Sequence, residues 1–170
     1  MFNWFKPKAA DKEAAKRWRD AVTAAARNPE PFLREWVTDT VYGRFNMVAL
    51  VATLAMRRMR DLGSEGRALS TALSELLFSD FDHSLRENGV GDSSIARRIR
   101  KMGEEFFGLA KAVDQALDAG GPKQALTEVL QRNVQKDAEK AQALAVYLID
   151  LNVTVEDLSD AKVRAGPDAL

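Results

Sequence analysis

His83 is the only histidine in the chain, and Asp80, His83 and Glu87 recur at helical spacings of three and four residues, which place them on one face. Two carboxylates and an imidazole are ligand types that a divalent metal accepts. A carboxylate-bridged metal pair in a helical bundle also needs a second helix that supplies its own Glu-x-x-His, and a chain with one histidine has no such counterpart. There is no cysteine, which excludes a disulfide scaffold, a thiolate zinc site, a cysteine nucleophile and an iron–sulfur cluster. No glycine-rich phosphate loop follows a strand and no G-x-S-x-G is present, so there is no nucleophile–base pair to assemble. The expectation is a non-enzymatic protein without metal or cofactor, because one histidine offers at most one strong axial ligand even to haem.

The remaining chemistry is charge. Arg97, Arg98, Arg100 and Lys101 place four positive charges within five residues, a local surface for RNA phosphates or for an acidic protein. Glu104 and Glu105 follow Arg100 and Lys101 by four positions, so intrahelical pairing satisfies part of that charge. A solvated face and a partner contact both fit. A second cluster, Arg57, Arg58 and Arg60, is explained by the C-terminal dipole of its helix. Lys plus Arg and Asp plus Glu are 25 each, which leaves no global field to recruit DNA or an anionic membrane. Phe2, Trp4 and Phe5, with Lys6 and Lys8 beside them, suit either a peripheral membrane touch or docking on the rest of the chain. Trp18 and Trp36 read as packing residues.

These residues must be carried by helices. Helical spacing of apolar residues with plausible caps recurs throughout, with no strand-like alternation and no repeat, so the fold class is all-α. With 170 residues, 46% of them hydrophobic, one domain is expected, a bundle of about six helices over residues 1–160 with a loosely held tail over 161–170. The first helix ends before Asn28-Pro29. The second starts at a cap among Thr38, Asp39 and Thr40 and stops at Gly63. In the third, Phe78, Phe81 and Leu85 lie about 90° round from the Leu69–Leu73–Leu76–Leu77 stripe, which predicts a kink near Ser79. The fourth, from Ser93, turns Ile95, Ile99, Met102, Phe106 and Val113 to the core. Pro122 opens the fifth, Leu144, Leu148 and Leu151 mark a sixth, and Thr154 with Asp157 suits a last capped turn. No apolar run at the N-terminus is long enough for a signal peptide, so a cytoplasmic chain is expected.

The second helix is apolar nearly all round between Met47 and Met56. All-round hydrophobicity suits a central helix. The alternative leaves Met47, Leu50, Val51 and Leu54 on an open groove for an apolar partner. At ten residues, about 15 Å as a helix, the run is too short to span a bilayer.

Between the third and fourth helices lies Asn88-Gly89-Val90-Gly91-Asp92. Asn88 and Gly89 suit a helix end, and Asp92 a cap accepting from the next helix's free amides. The block D-x-D-x-x-L-R-E-x-G-V-G-D from Asp80 to Asp92, with D-T-V-Y-G-R-F from Asp39 to Phe45, resembles the ubiquinol-cytochrome c chaperone family over about residues 28–117. Tyr42 stands where relatives commonly carry an acidic residue. The resemblance implies an assembly factor that binds newly made cytochrome b beside the membrane, with the ribosome as a further partner. The matched blocks supply the candidate partner contacts Asp39, Arg44, Asp80, Asp82, Arg86, Glu87 and Asp92, with Gly89 and Gly91 as structural turn residues, while the apolar second helix adds Leu50 and Leu54 and the basic run adds Arg97 and Lys101.

Overall fold

The computed structural model describes residues 9–170, with side chains from residue 12. The aromatic cluster Phe2, Trp4 and Phe5 lies outside the described residues. Within them the chain is helical with no strand: α1 (Ala9–Ala26), α2 (Glu30–Leu33), α3 (Val41–Arg60), α4 (Ser64–Glu87), α5 (Asp92–Leu117), α6 (Pro122–Asn133), α7 (Ala138–Glu156) and α8 (Asp160–Ala165). The count exceeds the expected six because two short helices, α2 just after Asn28-Pro29 and α8 at the start of the expected tail, add to it.

The local signals act where they were read. Asn28 accepts from the Glu30 amide at 3.0 Å after α1 ends. Thr40 caps α3 by accepting from the Gly43 amide at 3.0 Å. Gly43 is required by proximity, since a Cβ there would lie 1.9 Å from the Thr38 carbonyl oxygen. Two expectations fail locally. Helix α4 runs unbroken from Ser64 to Glu87, because Phe78 and Phe81, off the leucine stripe, find aromatic partners on α3 and α5 instead of forcing a restart. Thr154 lies inside α7, donating to the Asp150 carbonyl, and Ser159 caps the last helix by accepting from the Lys162 amide.

Helix α3 is the axis of the fold, packed against α1, α4, α5 and α7. From Phe45 to Ala55 only Val48 escapes full burial. Its apolar surface is therefore the core, and the groove expected at Met47, Leu50, Val51 and Leu54 does not exist: all four are 1% exposed or less. Four helices surround α3 and leave none of its faces open there.

The end of the chain is also built in, contrary to a loosely held tail. Val163 is fully buried, and its carbonyl accepts from the fully buried Trp18 indole at 2.9 Å. Gly166, at φ +80°, lies so close to α1 that a Cβ would come 2.7 Å from the Ala14 carbonyl oxygen. Arg58 reinforces the join by donating to the Leu158 carbonyl at 2.7 Å and to Asp160 at 2.6 Å. Arg57 donates to Asp114 and to Asp118, and Arg60 to Asp114 at 2.8 Å. The cluster credited to the helix dipole thus ties α3 to α5 and to the C-terminal segment.

Candidate binding groove

The two blocks that carry the family resemblance meet in space. Phe45, at the end of the first, stacks edge-on against Phe81 of the second with ring centroids 5.1 Å apart. Phe81 continues to Phe78 at 5.5 Å, and Phe78 to Phe106 at 5.4 Å and Phe107 at 6.0 Å. Each such contact adds about 1 kcal/mol beyond burial. Tyr42 begins this ladder, 6.0 Å from Phe45. Its phenol is pushed up by burial and by the nearby Glu105 carboxylate.

The charged residues around the ladder mostly bind one another. Asp39 accepts from Nε and Nη2 of Arg44, at 2.7 and 3.3 Å, and this pairing holds its carboxyl below the usual aspartate range. Arg86 donates to Asp82 at 2.7 Å and to Asp92 at 2.6 Å, bracing the turn between α4 and α5. Asp92 therefore does not cap: it is already the first residue of α5, which has no side-chain cap, and Arg86 takes its carboxylate. Gly89 does end α4. At φ +76° it lets its amide reach the Arg86 carbonyl and the Val90 amide the Leu85 carbonyl, the paired bonds of a Schellman turn. Gly91, at φ −65°, needs no glycine freedom.

Asp80 pairs with Arg19 of α1 at 3.6 Å, and Glu87 with His83 at 3.2 Å. The Asp80–His83–Glu87 trio is thus split between two partners. Among the described residues, no group of three or more His, Asp or Glu side chains is placed to hold a metal ion. On α5, Lys101 pairs with Glu105 and Arg100 with Glu104, whereas Arg97 and Arg98 are exposed without an ion pair among the described residues. Leu50 and Leu54 belong to the core and touch none of these surfaces.

What sequence reading missed is the open side of the aromatic ladder. A groove of about 640 Å³ runs along α4 between the end of α3 and the middle of α5, lined by Met56, Phe78, Phe107, Ser70, Ser74 and the rim residues Arg60, Arg67, Thr71 and Glu75. Phe107 is 54% exposed at its edge. The signal was present: Phe106 and Phe107 are adjacent on a helix, about 100° apart, so both cannot face one core. Burial of Phe106 forces Phe107 outward.

The described residues form a single helical domain with an aromatic surface groove. Sequence comparison is more specific: the description of ubiquinol-cytochrome C chaperones matches residues 36–168, and the chain belongs to that family. The match reaches past the paired blocks to the C-terminal segment. The fold is similar to the crystal structure of the Cbp3 homolog from Brucella abortus, with a TM-score of 0.82 and 31% identity over 94% of this chain and 90% of that one. No curated protein matches this sequence. Among the described residues, no helix is long and apolar enough to cross a membrane.

Proposed function

We propose that this chain is a non-enzymatic chaperone that binds newly made cytochrome b during assembly of the ubiquinol-cytochrome c reductase complex. Family membership supports the assembly role. The observation that carries the binding role is the groove walled by Met56, Phe78 and Phe107, because a half-exposed phenylalanine beside an apolar channel is the kind of surface that meets another protein. The buried face of α3 is replaced in this reading by the outer face of α4. The chain works from the cytoplasmic side of the membrane.

Co-precipitation from membranes tests the reading: the tagged chain should retrieve cytochrome b, and Phe107→Ser should lose it. A wild-type chain that retrieves none overturns the reading. A Phe107→Ser chain that retrieves it in full removes the groove from it.

One observation favours a second contact. Arg97 and Arg98 stand exposed and unpaired among the described residues, which suits phosphate binding at a ribosome. Pelleting with ribosomes should then weaken steeply between about 50 and 200 mM salt, and Arg97→Glu should abolish it.

A further inference from the structure

The floor of the groove has an unusual chemistry. Ser70, Thr71 and Ser74 read as a polar face, yet their hydroxyl protons are already used within the fold. Thr71 donates to the Arg67 carbonyl at 3.0 Å, Ser74 to the Ser70 carbonyl at 2.9 Å, and Ser70 contacts the Met59 sulfur at 3.4 Å. An apolar partner laid over them strands no donor and so avoids the penalty of an unmet hydrogen bond. Ser70 and Ser74 are also small and four residues apart, the spacing that lets two helices approach closely in lipid. Met56 supplies an adaptable wall, and Phe78 and Phe107 two rigid ones.

The ends of the groove differ in charge. Arg67, exposed and without an ion pair among the described residues, marks one end, with Arg60, already paired to Asp114, also on the rim, and Glu75 lies nearer the other. From Arg67 to Phe78 the floor extends about 16 Å, three helical turns and roughly half of a membrane-spanning segment.

We infer that the groove takes one apolar helix of about three turns, drawn from a membrane-spanning segment of the client, with its C-terminal, acidic end against Arg67. The carbonyl end of a helix carries partial negative charge, and an acidic residue there adds to it, so this direction complements both ends of the groove. The inference rests on the client reading above but concerns the chemistry and direction of the occupant.

The test uses three labelled sixteen-residue Leu/Ala helices in dilute nonionic detergent, ending at their C-terminus in two glutamates, two glutamines or two lysines, titrated against the full chain. The glutamate peptide should bind about fivefold more tightly than the lysine peptide, the scale of a partly exposed ion pair. Arg67→Glu should reverse that order, while Phe107→Ser and Ser74→Leu weaken all three at least tenfold, each variant keeping wild-type helix content and a cooperative melt.

Equal affinities for the wild type, or an order unchanged by Arg67→Glu, overturns the inference. A Phe107-dependent dimer in sedimentation that binds no peptide also overturns it, by making a second copy the occupant. The probe contains no cytochrome b sequence, so these failures leave the client reading standing. Normal cytochrome b accumulation in cells lacking this chain overturns the client reading instead.

Discussion

Helix α3 and the outer face of α4 invert what their sequences display. The most apolar run of the chain, Met47 to Met56, is sealed almost completely by four neighbouring helices. The Ser70–Thr71–Ser74 stretch, polar as written, forms the floor of a groove of about 640 Å³ walled by Met56, Phe78 and Phe107. Hydrophobicity predicts which residues seek burial, but surface character depends on whether polar groups are already satisfied inside the fold. A hydroxyl whose proton is spent on its own helix presents a small and nearly neutral face.

Substitutions on the two sides of this contrast should separate sharply. Leu50→Asp places an unpaired carboxylate at a fully buried site and should cost about 3 kcal/mol or more; far-UV circular dichroism should find the variant unfolded, and a native melt would return α3 to the surface. Gly43→Ala should cost on the order of 2 kcal/mol, because its new methyl meets the Thr38 carbonyl and the α3 cap must shift.

At the α4–α5 turn the two glycines should differ. Gly89→Val should lose about 1 kcal/mol or more by forcing a β-branched residue to positive φ, whereas Gly91→Ala should change stability by less than about 0.5 kcal/mol. Equal denaturation midpoints for the two would contradict the Schellman geometry. Phe107→Ser, half exposed, should cost about 1 kcal/mol in urea through the lost contact with Phe78 while losing the client. A large loss of stability would move Phe107 into the core.

The smallest effect is electrostatic. The Arg57 guanidinium beside Asp118 holds that carboxyl below its ordinary 3.8. A carboxyl lowered in the folded state contributes stability above its unfolded value and loses it as the pH falls through the folded one. Asp118→Asn should therefore leave the acid limb of the stability curve slightly flatter below pH 3.8, with the difference from wild type largest near neutrality. The site is solvent-exposed, so the change should be slight.

Much of this was legible. The Thr40 cap, the left-handed Gly89 and the burial of α3 follow from local residue types and the 3.6-residue period. Other features were not, because their partners lie far off in sequence. Val163 is one apolar residue in a polar stretch, and what buries it is Trp18, 145 positions earlier. Arg57 meets Asp114 from 57 positions away. Asp92 has the residue type and place of a cap, but Arg86, on the neighbouring helix end, competes for the same carboxylate and holds it. Leu50 and Leu54 were legible as apolar, but which faces their neighbours cover is a tertiary fact. The basic run on α5 was half legible, since two of its four charges pair at the expected i to i+4 spacing.

The clasp between Trp18 and Val163 has a consequence for the order of events during synthesis. While residue 163 is still inside the ribosome, α1 can already pack on α3 and α4, but the indole has no carbonyl to accept its hydrogen bond and the side of α1 that meets α8 stays uncovered. The packing of α1 is therefore completed late, and the growing chain leaves the Trp18 indole without its acceptor until α8 has emerged. Limited proteolysis of stalled chains should cut α1 readily before α8 emerges and scarcely afterwards.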